Sequence, residues 1–288
     1  TWSPDGRFIA YSSDRGGNSD IWVRQVDGGD PVQVTKSPAH DWQPDWSPDG
    51  DKIVFRSERD GGGLFVVSPL GGNERKISSF GFRPRWSPDG SKILFLSSYF
   101  RVNVEIPKVY VVTPDGGAPR EVLADLRGEL AQQLGAFFVA WGPDSQRISL
   151  WGWHTQMGLG FWTVSISGGS PIRSEIAPSV DQQIKDASVN LGAFTWANKG
   201  RALYFEGISK GVSNIWRIVV EPQTLRWVAG PERLTVGPGA DTDIVPSPDG
   251  KKLAFTTRDP KVRAWSLPLC GTWTMSTPAI ALNNSPAM

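Results

Sequence analysis

The sequence predicts an all-β fold, a β-propeller of about six blades, each a four-stranded antiparallel sheet. Three observations predict it. First, a five-residue motif recurs: Trp2 to Gly6, Trp46-Ser47-Pro48-Asp49-Gly50 and Trp86 to Gly90 are identical. Trp141-Gly142-Pro143-Asp144-Ser145, Trp196-Ala197-Asn198-Lys199-Gly200 and Pro246-Ser247-Pro248-Asp249-Gly250 are worn copies. Second, the copies start at 2, 46, 86, 141, 196 and 246, so the gaps are 44, 40, 55, 55 and 50 residues. Third, each interval holds about four strand patterns. Repeats of roughly 40–50 residues with four strands each mark a propeller blade.

The motif itself is a hairpin turn. Proline presets φ at the second position of a tight turn, aspartate suits the third, and glycine closes it with positive φ. Apolar alternation follows directly, in Phe8-Ile9-Ala10-Tyr11, Lys52-Ile53-Val54-Phe55, Lys92-Ile93-Leu94-Phe95 and Lys252-Leu253-Ala254-Phe255. In the first unit the strands expected are Phe8 to Ser13, Asp20 to Val26, Pro31 to Thr35 and Gln43 to Trp46. Gly-Gly pairs punctuate the later part of the cycle at 28–29, 71–72, 116–117 and 168–169. One sheet cannot bury both faces alone, so blades pack on each other, with the repeated tryptophan as the natural wedge.

These residues resemble a known family. The motif, the strand behind it, and the third-strand signatures Asp20-Ile21-Trp22 and Asn214-Ile215-Trp216 look like TolB-like, WD40-like propeller repeats. Pro31-Val32-Gln33-Val34-Thr35 and Pro231-Glu232-Arg233-Leu234-Thr235 resemble propellers joined to bacterial winged-helix regulators or Ser/Thr kinases. The resemblance runs to about Leu269. It implies a non-enzymatic binding or signalling module with a protein or peptide partner, covalently linked to other domains. It also implies a periplasmic or extracytoplasmic setting. The competing class is an enzyme, either a propeller gating a peptidase or a carbohydrate-active propeller.

Residues 1–288 read as one propeller domain, with an atypical tail over 270–288. The 288 residues, 39 % hydrophobic and 11 % aromatic, suffice for one large β domain. Thirty basic residues against 29 acidic ones give a net charge of +1, with no basic run, so no nucleic-acid footprint is expected. No apolar run reaches 18 residues, so no membrane insertion is expected. A lone cysteine, Cys270, makes no internal disulfide and leaves the compartment open. Thr1-Trp2 lies inside a repeat whose inner strand is missing, so the chain is expected to be a fragment of something longer.

Propeller strands alternate in direction, so connections sort onto two faces. One face carries the Pro-Asp-Gly turns and the Gly-Gly turns and is uniform. The other carries connections of varied length: Asp14 to Ser19, Arg59 to Gly63, Tyr99 to Pro107, Trp153 to Gly160, Lys36 to Gln43, Ala124 to Ala136 and Pro178 to Gly192. Leucines at 126, 130 and 134 predict a short helix over Ala124 to Leu134. Long loops on a rigid scaffold are where binding concentrates, so this is the expected functional face.

Counting back from each motif gives the residues ringing the channel mouth there: His40-Asp41-Trp42-Gln43, Phe82-Arg83, Phe137-Phe138 and Asp241-Thr242-Asp243. Large aromatics with a few polar groups are the composition of a recognition pocket, and the alternative for the aromatics is packing between blades. Chemistry is weakly marked. His40 and His154 sit in no nucleophile context and read as loop histidines. Two histidines and one distant cysteine lack zinc spacing. Asp14 to Asp20 spaces oxygens somewhat like a calcium loop, but Arg15 intrudes and the bidentate glutamate is absent. Asp241 and Asp243, two apart on a strand, would share a face as paired carboxylates do in glycoside chemistry. No cofactor and no metal is expected.

Overall fold

The computed structural model describes residues 1–98, 107–124, 138–156, 158–197, 200–237, 239–258, 265–266 and 280–281. The helix expected over Ala124 to Leu134 falls outside them from residue 125 onward.

Each motif opens a sheet. The first sheet has β1 (Phe8–Ser13), β2 (Asp20–Gln25) and β3 (Val32–Gln33). The second has β4 (Asp41–Trp46), β5 (Ile53–Ser57), β6 (Gly63–Val67) and β7 (Arg75–Ser78). The third has β8 (Phe82–Trp86), β9 (Ile93–Leu96), β10 (Val109–Val112) and β11 (Arg120–Val122). The fourth has β12 (Phe138–Trp141), β13 (Arg147–His154), β14 (Gly158–Ser165) and β15 (Ile172–Arg173). After α1 (Pro178–Asp186) comes the fifth, with β16 (Val189–Ala197), β17 (Ala202–Ser209), β18 (Val212–Val220) and β19 (Trp227–Arg233). The sixth motif heads a hairpin, β20 (Ala240–Pro246) and β21 (Leu253–Arg258). All these pairings are antiparallel in simple sequence order. Five blades are thus described where about six were expected. The first has three strands, with Trp2 bridged to Ile9 as the stub of its inner strand. In the tail, β22 (Trp265–Ser266) pairs with β23 (Ile280–Ala281).

The turn motif is a hydrogen-bond unit. In the second copy the Ser47 hydroxyl donates to Asp49 Oδ1 at 2.5 Å and accepts the Lys52 N–H at 2.9 Å. Asp49 Oδ1 also accepts the Asp51 N–H at 3.1 Å. Copies at Ser3, Ser87 and Ser247 repeat this. The serine hydroxyl therefore holds these carboxyls below the usual range, Asp5 down to about 2 and Asp49, Asp89 and Asp249 in the same direction.

Neighbouring units interlock. The Trp86 indole donates to the Asp45 carbonyl at 3.1 Å, and Trp141 to the Arg85 carbonyl at 3.0 Å. Each tryptophan thus fastens to the residue just before the preceding motif. The first does so across the ring, because Trp2 donates to the Val245 carbonyl at 2.9 Å. Trp46 instead bonds Gly50 of its own turn, and Trp196 bonds Ser149 Oγ. In four of the turns glycine closes against the preceding motif's proline: a Cβ at Gly90 (φ 72°) would meet Pro48 Cγ at 3.2 Å. Gly6 stands likewise beside Pro248, so the first and sixth motifs are neighbours and the described ring is closed.

The third-strand signature is structural too. The Thr35 hydroxyl accepts the Ile21 N–H at 3.0 Å, and Thr235 accepts that of Ile215 at the same distance. Gln33 donates to Asp20 at 2.9 Å where Arg233 donates to Asn214 at 2.5 Å. In α1, Pro178 opens the helix, and Val180 and Ile184 pack it on the aromatic cluster of Trp151, Phe161, Phe194, Phe205 and Trp227.

Candidate functional site

The inner strands β4, β8, β16 and β20 all slip register against their neighbours, between Trp42 and Asp45, Phe82 and Arg85, Leu191 and Phe194, and Thr242 and Val245. A bulge bends a strand and re-aims a side chain. Three of these bulges hold a non-glycine residue in left-handed backbone: Gln43 (φ 55°), Arg83 (φ 51°) and Asp243 (φ 57°). All three stand three residues before their motif.

The bulges are braced from the preceding blade. Gln43 Oε1 accepts the Arg83 N–H at 2.7 Å, and Glu206 Oε1 accepts the Asp243 N–H at 2.8 Å. Glu206 lies on β17, ten residues after Trp196, and its counterparts ten after Trp46 and Trp141 make the same reach. Arg56 donates to the Gly81 carbonyl at 2.9 Å and lies 3.8 Å over the Phe82 ring. Trp151 donates to the Leu191 carbonyl at 2.7 Å.

Electrostatically the mouth is mixed. Burial pushes the Glu206 carboxyl above the usual range; the Asp243 N–H offsets part of this, the Asp243 charge adds to it, and Arg83 and Arg258 pull it back. Burial likewise raises Asp45, against the attraction of Arg85. Arg83, Arg85 and Asp243 are themselves exposed.

The residues singled out in sequence divide accordingly. Gln43, Arg83 and Asp243 come together as the bulge column, with Phe82 under Arg56 and Thr242 bonded to Asp243 Oδ2 at 3.2 Å. His40 is exposed, accepts the Ser19 N–H at Nδ1 (3.2 Å), and meets half-buried Trp42 edge-on at 5.8 Å. Asn18 ties these loops by donating to the Ser37 and Ala39 carbonyls at 2.8 and 2.9 Å. Phe138 is half-buried against the aromatic cluster, and Phe137 lies outside the described residues.

Asp41 and Asp241, five before their motifs, are buried inside their blades. Asp41 pairs with Arg59 at 2.6 Å, which also pairs with Glu74 and stacks over Phe65, while Asp241 accepts from Thr257 at 2.8 Å. Burial raises the Asp41 carboxyl. Asp241 is thus buried while Asp243 is exposed and left-handed, so the bulge prevents the shared face that a regular strand would give them.

His154 is buried on Trp162, with ring centroids 5.1 Å apart. Asp20, at the end of the calcium-like loop, is committed to Gln33 and Thr35. Among the described residues no three His, Cys, Asp or Glu side chains gather as a metal site. Glu206 and Arg56 escaped the sequence reading. The available signal was their shared place ten residues after a motif tryptophan, where they are the two charged members of the column.

The family model described as "TolB beta propeller domain" matches residues 1–115. Over these residues the chain is similar to that family. Solved structures extend the TolB-like fold further along the chain. A putative TolB from Agrobacterium tumefaciens is 22 % identical with a TM-score of 0.57, covering 83 % of this chain and 78 % of that one. TolB from Acinetobacter baumannii is 19 % identical with a TM-score of 0.63, covering 90 % of this chain and 60 % of that one, so the chain spans less than two thirds of that relative. An oligogalacturonate lyase in complex with manganese is 15 % identical with a TM-score of 0.55, covering 86 % and 67 %. No curated protein matches the chain. Among the described residues no helix is long and apolar enough to cross a membrane.

Proposed function

We propose that this TolB-like propeller is a non-enzymatic module that binds a protein or peptide partner at its channel mouth. The observation that carries the reading is the contrast in what surrounds the two ends of the inner strands. At the motif end the serines, their aspartates and the tryptophans bond within their own turn or to a neighbouring unit. At the mouth, exposed Arg83, Asp243 and His40 and half-buried Trp42 and Phe138 stand on braced bulges and tied loops. Charged groups rimming apolar surface on a rigid scaffold suit recognition of a polypeptide. Attachment to further domains and an extracytoplasmic setting belong to the same proposal.

A photo-crosslinking side chain at position 42 should capture a partner, while one at exposed Leu70 on the turn face should capture none. Capture at Leu70 alone would place the interface on the wrong side. The lyase and peptidase alternatives are separated by turnover. His40→Ala and His154→Ala should leave any hydrolytic or lyase activity of the purified protein unchanged, and a turnover lost in either variant would favour an enzyme.

A further inference from the structure

The three braces that stand ten residues after a motif tryptophan use their polar atoms differently. Trp151 gives its one N–H to the Leu191 carbonyl, and Glu206 turns an oxygen to the Asp243 N–H. Arg56 carries five N–H donors, and its hydrogen bond runs from Nη1 to the Gly81 carbonyl. Among the described residues the edge formed by its Nε and Nη2 meets no acceptor, although Nε is buried. Arg217 and Arg226 also bury Nε without a partner, but each sets Nη2 on a carboxylate, Glu232 and Glu175 respectively. Arg59, three residues beyond Arg56, already holds Asp41 and Glu74. Arg56 has no carboxylate at ion-pair distance. Burial disfavours its charge, and Glu58 offsets part of this from farther off.

This guanidinium is also held still. It lies 3.8 Å over the Phe82 ring, and Gly62 (φ 91°) passes beside it, where a Cβ would meet Nη2 at 3.2 Å and Nη1 at 3.6 Å. Its opposite residue in the pairing of β4 with β5 is Trp42, whose indole Nε1 is buried without an acceptor as well. Directly opposite residues share a face of the sheet, so two adjacent side chains at the mouth each hold a donor that nothing receives. Buried donors in that condition are rare and cost stability until an acceptor arrives.

We propose that Arg56 is the carboxylate-binding residue of the mouth: its Nε–Nη2 edge takes both oxygens of one carboxylate of the polypeptide partner, and the residue beside that acid lies against Trp42. Two parallel N–H···O bonds are how a guanidinium fork matches a carboxylate, and a stacked guanidinium has little freedom left to lose on binding. The group comes from an acidic side chain or from a chain end. This rests on the mouth-binding reading above for where the partner sits, and adds which group anchors it.

Three dipeptides test it: acetyl-Glu-Leu-amide with a side-chain carboxylate, acetyl-Gln-Leu with a terminal one, and acetyl-Gln-Leu-amide with none. They are titrated into the native chain while the Arg56 Nε–H signal, assigned through its own side-chain carbons, is followed by nuclear magnetic resonance. At least one carboxylate dipeptide should move that signal downfield to saturation and bind about ten-fold tighter than the neutral one. The tighter of the two identifies the source of the group. Arg56→Lys keeps a charge and a donor for the Gly81 carbonyl but has no two-nitrogen edge, so it should lose the preference. The native titration decides by itself should that variant not fold. A signal that the three dipeptides leave unmoved, or move alike, overturns the proposal, as does a preference that survives in Arg56→Lys. Failure of the mouth-binding reading shows separately, as crosslinking at position 42 that captures no partner.

Discussion

The two faces of this ring are built on opposite rules. On the turn face the same few atoms recur from repeat to repeat: a serine hydroxyl on an aspartate oxygen in four motifs, a glycine against a proline in four, and an indole on the neighbouring carbonyl in three. At the mouth the backbone device recurs, a bulge three residues before the motif, but the side chain on it changes from glutamine to arginine to aspartate. Repetition of chemistry holds the ring together, while repetition of geometry with varied chemistry supplies a surface that can discriminate. Stability should therefore reside at one end of the inner strands and specificity at the other.

Substitutions on the turn side should have the largest effects. Trp86 is 8 % exposed and fastens its blade to Asp45. Trp86→Ala should cost about 3–5 kcal/mol in denaturant unfolding, through the cavity and the lost wedge. A cost under about 1 kcal/mol would dissolve the contrast between the faces.

Ser87→Ala comes next. It removes a buried hydroxyl that serves both Asp89 and the Lys92 N–H, so about 1–2 kcal/mol should be lost. The same substitution at Ser47 or Ser247 should match it, since the units are copies, and unequal costs would show that the repeats are not equivalent.

The pH dependence of the two faces should have opposite signs. The turn aspartates have depressed folded pKa values, so their contribution is present above the ordinary 3.8 and is lost as pH falls, for Asp5 toward about 2. Glu206 is raised above its ordinary 4.5, so its ionisation opposes folding and acidification relieves it. Stability should therefore rise slightly as pH falls toward about 4.5 and then decline. Glu206→Gln should flatten the rise while still accepting the Asp243 N–H. An unchanged profile would mean that Glu206 is more hydrated than its position indicates.

The smallest stability effect belongs to the mouth. Asp243→Ala should shift unfolding by no more than about 0.5 kcal/mol, as for surface substitutions, because the bracing bond comes from the Asp243 backbone N–H and survives. A larger loss would give Asp243 a structural duty and blur the division.

The turn face was legible in the sequence because its interactions are local. Ser47 to Lys52 spans five residues, and a repeated five-letter word carries the whole unit. The equivalent places of Gln43, Arg83 and Asp243 were legible too, as a fixed count of three residues back from each motif. The bulges were not, since left-handed Gln43, Arg83 and Asp243 carry no glycine to announce them. For that reason Asp241 and Asp243 read as neighbours on one face when the chain separates them. Glu206 was invisible because its partner lies 37 residues away in the next repeat. The helix Pro178–Asp186 was missed because nine residues with two inward apolar positions give little periodicity, and it forms by packing on the aromatic cluster.

The indole bond between blades has a consequence for how such a ring grows. Donor and acceptor lie side by side in the same repeat, as with Trp86 and the Arg85 carbonyl, which take opposite ends of two successive joints. Copying one repeat in the gene therefore copies a clasp and an eyelet together, and an inserted unit arrives able to fasten on both sides. Nothing at the joint counts the units. The number of blades in a ring of this type is set by how much curvature the sheets tolerate, and lineages can lengthen or shorten it without first inventing a new seam.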